Sequence, residues 1–458
     1  MIAPVTAAHR RYDGLARLSA VTGCSFVMQV RLEWRNFFKG RAMEYLPAGV
    51  SGFFIQVLVI LAVARAVGYL AIQLGQPRVV GEMIAGILLG PTLFGSLAPE
   101  LQQQLFSADY RPFLALGAQI GIGLYMFLVG LEFDASMFKS RARSAITISL
   151  SGILVPFVTA CLLAGWLLNY GGLFASGMTW TQATLFLGAS IAITAFPMLA
   201  RVIQEQGLAS TRLGTLVLAA GAIDDVAAWC LMALLLASFG GDDLLFYKAV
   251  IGAVLFSLFM LTVVRRQANR LEQWYSQSQR LTPALLIVLL VMWVVSVSFT
   301  EWIGLHAVFG GFLLGVVMPK GLLGEHLIKR LQPVVLVALV PLFFTVSGLK
   351  TDLSLLAQGT LWQVALLVLL ASIFAKAVAC YLAARLCGEN HPMSLSVGIL
   401  MNARGMMELI LLNIALENGV ITADLFSVLV LMTIVTTMMA TPVFNYLQRR
   451  PSFRSRLQ

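Results

Sequence analysis

Two adjacent aspartates, Asp224 and Asp225, stand in the run Gly221-Ala-Ile-Asp-Asp-Val226, with mostly apolar residues on both sides. On a helix, neighbouring positions point about 100° apart, so one carboxylate can face a partner helix while the other faces a cavity. A hard cation such as Na⁺ or K⁺ wants oxygen ligands, and a carboxyl group can carry a proton instead. A site that holds one or the other, never both, has the physical basis of exchange. Asp, Lys or Arg at the centre of a membrane helix costs about 2.5–3.5 kcal/mol, so each such residue is a candidate for function. Lys376, in Ala371-Ser-Ile-Phe-Ala-Lys-Ala377, is the natural counter-charge for one of the aspartates. Arg404 and Glu408 are four positions apart, which puts them on one helix face as an internal ion pair. Thr194 and Asn402 each offer a side-chain oxygen. Glu82, Arg65 and His306 stand nearer the ends of apolar runs and read as structural or gating groups. The bland alternatives are acids that cap a helix at the interface and a lysine whose stem snorkels to it.

These charges need elements that carry them through lipid. Of 458 residues, 59% are hydrophobic and 11% charged, against about 45–50% and 25% in ordinary soluble chains. The mean hydropathy is +0.88. That excludes a soluble domain, a disordered chain and a small disulfide scaffold, and predicts an all-α polytopic membrane protein. Thirteen spans are expected, at roughly 51–74, 79–97, 113–133, 144–168, 183–204, 213–239, 244–264, 283–300, 303–319, 329–349, 361–386, 394–416 and 421–447. Residues 1–50 form an N-terminal extension, read as a surface segment or an over-long start with Met43 as initiator. Residues 448–458 form a short tail. The net charge of +10 comes from scattered loop residues, not one basic patch, so no nucleic acid is expected. The five cysteines lack metal-type spacing and read as packing residues. No nucleotide-binding loop appears, and no cofactor is expected.

Lysine and arginine in the short loops orient the chain. Arg78, Arg143, Arg212, Arg265, Arg330 and Arg385 fall on one side with most of the others, while Arg111, Lys248 and Lys350 fall on the other. The C-terminus is therefore expected in the cytoplasm, in a plasma membrane or bacterial inner membrane.

The chain repeats itself. Leu124-Tyr-Met-Phe-Leu-Val-Gly130-Leu-Glu-Phe-Asp134 matches Leu342-Phe-Phe-Thr-Val-Ser-Gly348-Leu-Lys-Thr-Asp352, and Ala85-Gly-Ile-Leu-Leu-Gly90 matches Gly310-Gly-Phe-Leu-Leu-Gly315. Each pair is seven spans apart. Seven is odd, so the second copy is inverted, as in many secondary transporters. Such folds bind where equivalent helices of the two copies are broken at mid-membrane. Ile193-Thr-Ala-Phe-Pro197 and Met401-Asn-Ala-Arg-Gly405 are the matched candidates. Pro197 removes a backbone donor and crowds the preceding turn, and Gly405 loosens the second helix. Thr194 and Asn402 sit at these breaks.

Taken in order, Gly81-Glu-Met-Ile-Ala-Gly-Ile-Leu-Leu-Gly-Pro91, Ile193-Thr-Ala-Phe-Pro-Met-Leu-Ala-Arg201, Ala222-Ile-Asp-Asp-Val226 and Asn402-Ala-Arg-Gly405 resemble the second family of monovalent cation:proton antiporters, above all its plant cation/H⁺ exchanger branch and bacterial relatives. The resemblance covers roughly 45–445. It implies a homodimer working by elevator-type alternating access, with a dimerisation scaffold and a core in which two broken helices cross. The core is expected at about 113–133, 144–168, 183–239, 329–349 and 361–416, within a transmembrane domain of 51–447. The resemblance also implies that Asp224 pairs with Lys376, that Asp225 carries the ion or proton, and that exchange is electrogenic. Two departures remove oxygen ligands that relatives offer: Ala195 follows the threonine, and Gly221 stands one turn before Asp225. They leave Na⁺ and K⁺ both open. A channel-like K⁺ efflux protein is the alternative, though no TVGYG-type filter appears. No HExxH or Gly-x-Ser-x-Gly appears either, and no enzyme is expected.

Overall fold

The computed structural model describes residues 50–132, 142–208, 211–239, 243–278, 281–303, 307–357 and 360–448. The N-terminal extension, His306 and the tail beyond 448 lie outside them, as does the side chain of Pro197.

The chain starts with α1 (Val50–Gln73), α2 (Arg78–Leu89), α3 (Arg111–Glu132) and α4 (Ala142–Tyr170). Two short helices, Phe94–Leu97 and Pro99–Leu105, occupy the α2–α3 connection, where the sequence reading leaves a loop. Then come α5 (Trp180–Ala192), α6 (Phe196–Glu205), α7 (Arg212–Phe239) and α8 (Asp243–Phe259). A π-helical turn at Met260–Val264 carries α8 into α9 (Arg265–Ser278), followed by α10 (Pro283–Trp302) and α11 (Ala307–Val317). A second π turn, Val335–Leu339, joins α12 (Leu322–Val334) to α13 (Val340–Leu349). The chain closes with α14 (Leu361–Leu386), α15 (His391–Leu400), α16 (Met406–Glu417) and α17 (Ala423–Gln448).

Among the described residues, nine helical segments are long and apolar enough to cross a membrane. The expected span at 213–239 coincides with α7, and that at 303–319 is the eleven-residue α11. The expected spans at 183–204 and 394–416 are each two half-helices, α5 with α6 and α15 with α16. Both broken helices begin on a capping side chain. The Gln182 amide donates to the Thr179 hydroxyl at 3.3 Å, and the Met393 amide to Asn390 Oδ1 at 2.9 Å. Those caps satisfy donors that the apolar turns cannot. Apolar side chains on α10, such as Ile287, Leu290, Val291 and Val294, are exposed, as expected of a helix that faces lipid.

Packing sorts the helices into two groups. One gathers α4, the two broken helices, α7, α14 and α17; the other gathers α1, α2, α3, α10, α11 and α13. The expected core included 113–133 and 329–349. Those segments pack instead against α11 and α2, in the second group, here called the scaffold. The repeat explains why. A Cβ on Gly86 of the first copy would strike the Phe344 carbonyl of the second, and one on Gly348 would strike Gly86. Reciprocally, Gly130 meets Phe312, and Gly315 meets Phe127. Each matched motif packs on the other motif of the opposite copy, as a two-fold axis in the membrane plane requires. The glycines permit backbones to touch, which is how helices associate in lipid. In a Gly348→Ala protein the new Cβ stands 2.6 Å from the Ile87 amide nitrogen, and backbone cannot swing aside as a side chain can. The expected loss is about 1–3 kcal/mol, read as a lower thermal midpoint of the purified protein.

Candidate functional site

The two breaks meet at the centre of the first group. Residues 193–195 and 403–405 leave the helix, and the Ala195 amide donates to the Ala403 carbonyl at 3.0 Å, tying break to break. Pro197 is the second residue of α6, where its missing N–H costs nothing. Gly405 holds φ at 154°, a conformation that favours glycine, and a Cβ there would crowd Met198.

A broken helix leaves carbonyls unsatisfied at one half's end and amides at the next half's start. In a membrane these must find partners inside the protein. The last turn of α5 finds them in two cations. Arg404 donates to the Ser190 carbonyl, and at 2.6 Å to that of Ile191; Lys376, on α14, donates to that of Ala192. Positive charge at a helix C-terminus is favourable in its own right. At the second break, Asn402 Nδ2 donates to the Gly398 carbonyl at 3.2 Å, and the Thr194 hydroxyl lies 2.9 Å from the Met401 carbonyl.

Asp224 is the hub of the cluster. Its Oδ1 accepts from the Ser149 hydroxyl of α4 at 2.5 Å. Its Oδ2 lies 2.6 Å from Lys376 Nζ and 2.8 Å from the Thr194 hydroxyl. Thr194 has one proton for two acceptors, so its side chain ties the break to Asp224 and Met401. Asp224 and Lys376 are both buried, and the ion pair is enclosed by four elements. Asp225, the next residue, has 0% exposure. Among the described residues, neither of its carboxyl oxygens has a side-chain hydrogen-bond partner. It stands against the start of α6, where the Phe196 amide donates to it and the helix end favours negative charge.

Arg404 and Glu408 are 3.5 Å apart and buried. The expected reason, a shared helix face, does not apply. Arg404 lies in the non-helical break and Glu408 in the first turn of α16, so the pair spans a helix start. Gly221 has a packing reason, since a Cβ there would stand 2.6 Å from Leu199 Cδ2 of α6. Two contributors escape sequence reasoning. Ser149 is one hydroxyl in an apolar run. The α5 carbonyls that hold Arg404 have no side-chain signature. Among the described residues no group of three or more His, Cys, Asp or Glu is built to hold a metal.

Off the crossing, a cleft of about 370 Å³ opens between the scaffold and α6. Arg65, Arg78, Glu82 and Glu132 line it on one side, and Met198 and Ala200 on the other.

Two half-helix pairs crossing at a buried charge cluster, between inverted copies of one motif set, define an ion-coupled secondary transporter. The chain belongs to the transmembrane sodium/hydrogen exchanger family, which matches residues 58–447. It is 39% identical over 389 residues to the Na⁺/H⁺ antiporter NhaS4 of Synechocystis sp., covering 84% of this chain and 95% of that one. It is 31% identical over 404 residues to K⁺/H⁺ antiporter 1 of Saccharomyces cerevisiae, covering 85% and 46%. With the Na⁺/H⁺-K⁺ antiporter GerN of Bacillus cereus it shares 26% over 395 residues, covering 86% and 96%. The chain thus spans nearly all of these bacterial relatives and about half of the yeast and plant ones. The sodium proton antiporter MjNhaP1 of Methanocaldococcus jannaschii has the same fold, with a TM-score of 0.62 at 15% identity over 88% of this chain and 98% of that one.

Proposed function

We propose that the protein exchanges a monovalent cation, Na⁺ or K⁺, for protons by alternating access, and that Asp225 is the group that carries either. One observation carries this reading. The crossing buries three carboxyl groups, Asp224, Asp225 and Glu408, with two cations, Lys376 and Arg404. Asp224 is matched by Lys376 and Glu408 by Arg404. Among the described residues Asp225 is the carboxyl group left without a counter-charge, and burying an unpaired charge is costly. A proton or a monovalent cation neutralises it, and either one excludes the other. The names of the relatives support this chemistry and leave both cations open. The second reading, a K⁺ channel, gains nothing from a site closed around ion pairs.

In this reading Asp224, Lys376 and Thr194 set the shape and charge of the carrier site, while Asn402, Arg404, Glu408 and Pro197 keep the breaks open. The aspartate pair supports exchange of more than one proton per cation. The protein acts as a homodimer through its scaffold. The basic loops support a cytoplasmic C-terminus in a plasma or bacterial inner membrane, which makes the wide cleft the cytoplasmic entrance.

The test uses proteoliposomes with an internal pH dye and an acid interior. Na⁺, K⁺, Li⁺ and Rb⁺ are added outside in turn. Dye recovery with at least one cation, made faster or slower by an imposed membrane potential, is expected. A wild-type protein that moves no protons in response to any of them sinks the proposal.

A further inference from the structure

The scaffold meets the crossing group at two clefts on opposite faces. The wide one, about 370 Å³, separates Glu132 of α3 from Met198 and Ala200 of α6. The other is about 40 Å³, between Ala118 and Ile122 of α3, Phe343 of α13, and Ile410 and Ile414 of α16. By the repeat these are equivalent places, because α6 and α16 are the matching second halves of the two broken helices. One is wide and the other, here called the shut cleft, is narrow.

The shut cleft is bridged. Lys350, at the end of α13, lies 2.6 Å from Glu417 Oε1 and 3.2 Å from Asn413 Oδ1. Asn413 Nδ2 donates in turn to the Ser347 hydroxyl at 2.9 Å. Lys350 and Ser347 belong to the scaffold, and Asn413 and Glu417 to α16, so all three bonds cross the boundary between the groups. The repeat sharpens the contrast. Gly130-Leu-Glu132 matches Gly348-Leu-Lys350, so Glu132 holds in the first copy the place of Lys350 in the second. Glu132 lines the open cleft and accepts a hydrogen bond from Gln332 of α12, 3.2 Å away.

We propose that Lys350, Ser347, Asn413 and Glu417 form a latch that holds this face closed, and that the carrier reaches it only when the latch lets go. The proposal rests on the alternating-access reading above. Lys350 and Glu417 are partly exposed, so the ion pair alone biases the equilibrium by about two- to fivefold. A latch of that strength holds one face without freezing the cycle.

The test reads both clefts at once. Single reporter cysteines, Ala118→Cys in the shut cleft and Ala200→Cys in the open one, are placed in the full chain in lipid nanodiscs. Their labelling by a membrane-impermeant maleimide is measured above that of the parent with its native cysteines. Glu417→Gln and Lys350→Met are expected to speed labelling at Ala118→Cys by about two- to fivefold and to slow it at Ala200→Cys. The charge exchange Lys350→Glu with Glu417→Lys is expected to return both rates toward wild type. Two rates that rise together indicate general loosening and overturn the latch; so do rates that do not move. Labelling needs no transported ion, so this outcome is independent of the exchange assay.

Discussion

Asp225→Asn protein is expected to move no protons in response to any cation, at the level of empty liposomes, while melting no lower than wild type. The two halves of this expectation come from one feature. The carboxyl group is buried, no side chain among the described residues hydrogen-bonds to it, and its donor is the Phe196 amide. Asparagine keeps the volume and removes the charge that needs neutralising. The carboxamide oxygen still accepts from the Phe196 amide, so the folded protein keeps that bond and is relieved of a buried acid. Transport loses its carrier, since a carboxamide neither takes up a proton near neutral pH nor balances a cation. Dye recovery in proteoliposomes and thermal unfolding of the same preparation check the two halves. Retained exchange would move the carrier role elsewhere, and a large drop in melting temperature would mean that Asp225 has a structural partner.

Much of this arrangement is legible in the sequence, because lipid makes charge conspicuous. Asp224, Asp225, Lys376, Arg404 and Glu408 stand out against apolar runs, and the structure gathers all five at one crossing. The breaks are legible at Pro197 and Gly405, residues that act on the backbone directly. The glycine motifs reveal the repeat because helices in lipid approach most closely where side chains are missing. What stays hidden is long-range and lacks a side-chain signature. Arg404 reaches carbonyls more than 200 residues earlier in the chain. The packing of α3 on α11 depends on which copy each glycine meets, and two equal motifs cannot say which. Sequence spacing also suggests a wrong cause for a pair that does form, since Arg404 and Glu408 meet across a helix start. The latch belongs to the hidden part, because Lys350, Asn413 and Glu417 read singly as ordinary loop and helix-end polar groups.

The charge count at the crossing makes a sharper demand on the Asp224–Lys376 pair. Lys376→Met leaves Asp224 buried with two hydroxyl donors, Ser149 and Thr194, and no counter-charge. It also strips a donor from the Ala192 carbonyl at the end of α5. Breaking one side of a buried ion pair costs about 3–5 kcal/mol, and Asp224→Asn, which strands the lysine, is expected to cost as much. The double variant Asp224→Asn with Lys376→Met strands no charge and leaves only the Ala192 carbonyl short of its donor. The asparagine carbonyl still accepts from the Ser149 hydroxyl, its amide group donates to the Thr194 hydroxyl, whose own proton goes to the Met401 carbonyl, and methionine fills the space of the lysine stem. Its stability is expected to recover most of the single losses, because replacing a buried pair whole is often neutral, and to end about 1–3 kcal/mol below wild type for that carbonyl. Thermal unfolding of the four proteins closes the cycle. Two single losses that simply add in the double variant would show that the ammonium and the carboxylate do not depend on each other. Strong recovery would show that Asp224 is committed to Lys376. Its neighbour Asp225 is then the carboxyl group of the pair whose charge remains open to a proton or a cation.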